Sequence, residues 1–141
     1  MPAQSFSTDL WHRDLSDLPT ADREAATDIL IFASLELSCH PYHRASKPMA
    51  ASDRQTIFKN PATGHTCLVL SVVSKEEDPS PYRLRVDFFD KAEDIVASFA
   101  SVHRAPNTQF SEKGERRFFV ARNTPRKELR ALIQQIVALA R

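Results

Sequence analysis

Residues 66–89 decide the fold: Thr66-Cys67-Leu68-Val69-Leu70-Ser71-Val72-Val73, a polar prolyl link through Lys75-Glu76-Glu77-Asp78-Pro79-Ser80-Pro81, then Tyr82-Arg83-Leu84-Arg85-Val86-Asp87-Phe88-Phe89. In the first run Leu68, Leu70 and Val72 share one face while Cys67, Val69 and Val73 share the other, the pattern of a strand covered on both sides. The second run alternates strictly. Tyr82, Leu84, Val86 and Phe88 point inward, and Arg83, Arg85 and Asp87 point to water, so one of its faces is wet. Two such runs across a polar link predict the centre of an antiparallel sheet, with Leu70 and Val86 as core residues of adjacent strands.

Upstream, Gln55 to Lys59 reads as a short strand. It enters the central run through Asn60-Pro61-Ala62-Thr63-Gly64, where Gly64 is free to take positive φ. Before that strand, Cys39 to Arg54 shows no apolar period and reads as a long loop, a kind of connection that is often functional or mobile. Downstream, Asp90 with Glu93 has the form of a capping box. Ile95, Val96, Phe99 and Val102 lie opposite Asp94, Ser98 and Ser101, which predicts a helix over residues 90–103. Thr108 to Ser111 and Arg116 to Arg122 then read as a hairpin across Glu112-Lys113-Gly114-Glu115.

Helices flank this sheet. Leu10, Trp11, Leu15 and Leu18 suit a short amphipathic turn of helix capped by Thr8 or Asp9, within an N-terminal arm of residues 1–19 that docks through Trp11. Residues 20–141 read as one α+β domain. Its first helix is capped by Thr20, carries Asp22 and Glu24 at its positive end, and ends near Ser38 ahead of Pro41. Ala26, Ile29, Leu30, Ala33 and Leu37 form a stripe, yet Ile31, Phe32 and Leu35 widen it beyond what packing on one sheet face requires. The surplus calls for a second contact, either the N-terminal arm or another subunit. The last helix is capped by Thr124, has Pro125 at its first position and Glu128 near the dipole, and buries Leu129, Leu132, Ile133, Ile136, Val137 and Ala140.

The expected class is therefore α+β: a mainly antiparallel sheet of about five strands, packed by N-terminal and C-terminal helices, in the order α-β-β-β-α-β-β-α. That order is similar to the small type III secretion chaperones, and the resemblance implies a dimeric α+β binder of unfolded effector segments.

Length and composition bound the function. At 141 residues the chain can bury a sizeable core without a disulfide or metal. Its longest uninterrupted apolar runs, such as Ile29 to Ala33, are far short of the roughly 20 residues of a membrane span. The start lacks the order of a secretory signal, and two cysteines are too few for a disulfide framework, so the expectation is a cytoplasmic protein with reduced thiols and no membrane contact. With Gly64 and Gly114 as the two glycines of the chain, no phosphate-cradling loop can be written.

No stretch carries a motif that fixes a reaction or a ligand, so no enzyme activity, catalytic residue or cofactor is expected. Cys39, His40, His43, His65 and Cys67 hold the donor types of a zinc shell, but Cys-x3-His followed by His-x-Cys is no standard spacing. A core role for the thiols and local hydrogen bonds for the histidines is the plainer account, and no metal is expected. The same Cys and His residues lack a third orienting group for nucleophilic chemistry. Glu76-Glu77-Asp78 reads as a solvated run.

Charge is uneven: residues 1–80 carry 7 Lys and Arg against 11 Asp and Glu, and residues 81–141 carry 12 against 7, which agrees with the net +1. Arg83, Arg85, Arg116, Arg117 and Arg122 interleave with Tyr82, Phe89, Phe118 and Phe119, the residue types of a single-strand nucleic-acid platform. Strict alternation over residues 82–88 instead turns the aromatics inward. The leading expectation is a small non-enzymatic, adaptor-like or chaperone-like protein that binds another polypeptide, or a second copy of itself as a homodimer, through Trp11, Ile31, Phe32 and Leu35. The alternative is a single-stranded nucleic-acid binder using the five arginines.

Overall fold

The structure, a computed structural model, describes residues 3–16, 18–44, 55–72, 83–88, 102–104, 116–120 and 125–139. In chain order these form β1 (Ala3–Ser5), α1 (Thr8–Leu15), α2 (Thr20–Ile31) continued by a π-helical turn (Phe32–Glu36), β2 (His40–Arg44), β3 (Gln55–Lys59), β4 (Thr66–Val72), β5 (Leu84–Phe88), β6 (Val102–Arg104), β7 (Arg116–Val120) and α3 (Arg126–Leu139). The class is α+β. The strands make one sheet in the order β1-β2-β3-β4-β5-β7-β6, with every neighbouring pair antiparallel.

Among the described residues the sheet has seven strands where about five were expected, and the element order differs from the expected α-β-β-β-α-β-β-α, so the order behind the likeness to type III secretion chaperones is not the one found. β1, β2 and β6 escaped notice, and the longest of them, β2, lies inside the supposed loop from Cys39 to Arg54. Its residues are mostly polar, so no apolar alternation marks it. Pairing supplies what hydropathy does not: Tyr42 faces Ile57 and His43 faces Thr56 on one side, while Tyr42 and His43 face Ser5 and Gln4 on the other. Pro41, which has no N–H, lies one residue past the β1 pairing, opposite Phe58 of β3. β1 and β6, of three residues each, are too short for any period to show. The helix expected over residues 90–103 lies outside the described residues except at its end, where Val102 opens β6. Thr108 to Ser111 also lies outside them.

The centre of the sheet follows the expected register. Leu70 is opposite Val86 and Val72 opposite Leu84. Phe58, Leu68, Leu70, Val72, Leu84, Val86 and Phe88 are all buried on the same face. The exception is a bulge: Phe58 pairs with Leu68, but Lys59 pairs with Thr66, which leaves Cys67 as the extra residue of β4. The pleat is reset there, so Cys67 and Leu68 are both buried rather than pointing to opposite faces. On the second face, Arg83 is buried and the Arg85 and Asp87 side chains are 21% and 13% exposed, not in open water. The reason is lateral: β5 is an interior strand, flanked by Ser71 and Val69 of β4 and by Phe119 and Arg117 of β7 at those positions.

Helices close the buried face. Leu129, Leu132, Ile133, Ile136 and Val137 of α3, Ala26 and Ile29 of α2, Phe32 and Ala33 of the π turn, and Trp11 and Leu15 of α1 join the strand residues in one core. The helix starts differ by a residue from the expected caps. Ser7, not Thr8 or Asp9, caps α1 by accepting from the Leu10 N–H. Thr20 lies inside α2 after Pro19, which makes no side-chain cap bond, and α3 begins after Pro125, whose carbonyl accepts from the Leu129 N–H. No helix among the described residues is long and apolar enough to cross a membrane.

Candidate protein-binding surface on the second helix

The end of α2 departs from regular α geometry. The Leu37 N–H donates to the Phe32 carbonyl at 3.1 Å, a π-type bond, and the Cys39 N–H reaches back to Ala33 at 2.9 Å. Ser34 Oγ donates to the Leu30 carbonyl at 2.5 Å, and Ser38 takes φ +57, a left-handed conformation that seldom falls to serine. The wider turn holds Phe32 and Ala33 in the core and leaves Leu35 76% exposed, one turn beyond Ile31, itself 48% exposed.

Two elements flank this helix without covering that end. On one side, Trp11, Leu15 and Leu18 are buried against the core, and Phe6 packs on Trp11 at 6.0 Å between ring centroids. On the other, Arg130 of α3 grips Asp28 with both guanidinium arms, Nη2 to Oδ1 at 2.6 Å and Nε to Oδ2 at 3.1 Å, and lies 5.8 Å from the Phe32 ring centroid. The Asp28 hydrogen bond and charge hold the Arg130 guanidinium above its ordinary value. Arg126 reaches Glu24 at 3.5 Å in the open. Between the flanks runs a groove of about 590 Å³, with Leu15, Thr20, Arg23, Thr27, Ile31 and Arg126 among its lining residues. Arg23 donates to the Thr20 hydroxyl at 3.2 Å, one turn back on the same helix.

Of the four residues expected at a protein interface, the structure therefore puts Trp11 and Phe32 in the core and Ile31 and Leu35 on the surface. The N-terminal arm is not the cover for these two, since both stay exposed with α1 in place. The groove beside them was missed, because it forms only where α3, about a hundred residues further along the chain, comes to lie beside α1 and α2.

The other expected clusters are arranged differently. Cys39 and Cys67 line one small pocket of about 300 Å³ with Leu37, Pro61 and Val137, and neither is in a disulfide. His40 and His65 are exposed, whereas His43 is buried, stacked on Phe6 at 4.9 Å with its Nε2 on Ser7. Among the described residues no three His, Cys, Asp or Glu side chains converge as a metal set. Of the arginines, Arg83 is buried, and Arg85 lies 3.2 Å from Asp87 in a contact that is Coulombic, its N–H being off the hydrogen-bond line. Arg116 and Arg117 stand opposite Phe88 and Asp87 in the register of β7, and Arg122 lies outside the described residues. Comparison with protein-family models, with curated proteins and with solved structures finds no match for this chain.

Proposed function

We propose that this is a small non-enzymatic polypeptide-binding protein, adaptor-like or chaperone-like in action, that docks its partner on the outer end of α2. The observation that carries the reading is the exposure of Ile31, which lines a groove, and of Leu35 one turn beyond it, when the other large apolar side chains whose burial is described are buried or half-buried. A single exposed leucine is ordinary on a protein surface; two adjacent ones bordering a recess mark a place where apolar area is to be removed from water. Burying both would contribute on the order of 2 to 4 kcal/mol at about 25 cal/mol per Å². The Arg85 contact with Asp87 and the burial of Arg83 leave those two guanidinium groups turned to the protein itself. The cytoplasm is the compartment we assign, on the ground that two cysteines outside any disulfide suit a reducing environment.

A photo-crosslinking residue placed at Leu35 tests this, with the same residue at Gln134, an exposed position of α3, as control. Polypeptide adducts should form at position 35 well above the control, and binding should weaken little with added salt, in contrast to the steep fall that phosphate contacts give. Equal adducts at the two positions would remove the basis of the reading.

A further inference from the structure

We infer that the polypeptide seated on this face is a second copy of the same chain, docked with its α2 antiparallel to the first about a twofold axis near Ile31. The inference rests on the proposed use of the face for polypeptide binding and adds the identity of the partner.

Self-complementarity is the first ground. The face carries both a projection, Leu35, and a recess, the groove beside Thr27 and Ile31. Leu35 lies eight residues beyond Thr27, roughly 12 Å along the helix at 1.5 Å per residue. A twofold axis midway between them places Leu35 of each copy over the groove of the other and sets the two Ile31 side chains against one another at the centre. An isologous contact needs such a pairing of knob and recess on one patch.

Charge is the second ground. Arg23 is exposed at the N-terminal end of the stripe and makes no ion pair among the described residues, its guanidinium donating to the Thr20 hydroxyl. Glu36 is exposed at the other end. The intervening carboxylates, Glu24 and Asp28, already hold Arg126 and Arg130 of the same chain. An antiparallel arrangement about the axis near Ile31 brings Arg23 to the partner's Glu36, twice by symmetry. A parallel arrangement would put Arg23 on Arg23 of the partner subunit. Glu36, exposed though its charge also acts on Arg130 of its own chain, stays open to a second cation. The face thus favours its own reverse over an unrelated apolar segment, which would leave the Arg23 charge unanswered.

Sedimentation at high micromolar concentration should give a mass near twice the 15.9 kDa of the chain. Leu35→Lys and Ile31→Glu should each yield a folded monomer, with unchanged circular dichroism because both positions are exposed. Arg23→Glu should weaken the dimer by about tenfold, as two exposed attractive pairs become repulsive. Glu36→Arg should do the same. The double variant Arg23→Glu with Glu36→Arg should return to within about threefold of the wild type, because the swapped charges again attract. A monomeric wild type, a dimer indifferent to Leu35→Lys, or a swap that fails to rescue would each overturn the inference. A monomer that still gives heterologous adducts at position 35 would sink the dimer alone; one with no adducts would sink the binding face as well.

Discussion

Asp28 and Arg130 lock α2 to α3 through a two-armed ion pair, 2.6 and 3.1 Å, in which the carboxylate is buried and the guanidinium half-exposed. Removing the arginine leaves a buried carboxylate without its charged partner, so Arg130→Met should lower stability, and Asp28→Asn in the same chain should restore part of the loss. A cation whose value is raised on folding contributes fully below its unfolded value and loses that contribution only as pH climbs past the folded one. The ordinary guanidinium value already lies far into alkali, and Asp28 raises it further. The urea midpoints of wild type and Arg130→Met should therefore differ by a constant amount from about pH 7 to about pH 10. A difference that shrinks over that range would show another group at work.

Leu70 and Val86 test the centre of the sheet. They face each other across β4 and β5, and both are buried. Leu70→Ala should cost about 2 to 5 kcal/mol and Val86→Ala about 1 to 3 kcal/mol, the cavity adding to the lost transfer energy. Because the pair share one contact, the double variant should depart from additivity by about 0.5 kcal/mol or more. Chemical denaturation of the four proteins decides it.

His43 tests how the N-terminal segment is held. Its Nε2 lies 2.9 Å from the Ser7 nitrogen and 3.0 Å from the Ser7 oxygen, so either tautomer ties Ser7 to β2. His43→Phe keeps a ring to stack on Phe6 but removes that bond, at a cost of about 1 to 3 kcal/mol. Amide exchange should quicken in β1 and α1 more than in β4, since the loosened unit is local. A uniform rise across all three would mean that His43 supports the whole core instead.

What the sequence made legible follows from which forces leave a period. β4, β5, α2 and α3 each bring an apolar face to the core, and hydropathy periodicity found them, with Leu70 opposite Val86 as expected. β2 is held by its neighbours' backbones and by one buried histidine, and neither leaves a period of two. The bulge at Cys67 is a property of pairing, visible only when β3 lies alongside. At the candidate surface, the over-wide apolar stripe marked Ile31, Phe32 and Leu35 as surplus to one sheet face, and the structure buries Phe32 while leaving Ile31 and Leu35 exposed. Only three-dimensional packing could divide them: Arg130, drawn from distant sequence, lies over Phe32, while Ile31 and Leu35 stay exposed.

Phe32 and Leu35, three residues apart in the same π turn, should behave oppositely. Phe32 is buried under Arg130, so Phe32→Ala should cost about 3 to 5 kcal/mol at any protein concentration. Leu35 is 76% exposed in the single chain, so Leu35→Ser should change the stability of the monomer by no more than about 0.5 kcal/mol. In a dimer the same leucine is covered, and the folded state is then stabilised by mass action in proportion to the logarithm of concentration. Thermal melts at increasing protein concentration should show the wild-type midpoint climbing while that of Leu35→Ser stays flat, the two meeting at the dilute end. If instead Leu35→Ser melts early even when dilute, the residue supports the fold of its own chain, and its exposure would have to be explained without a docking partner.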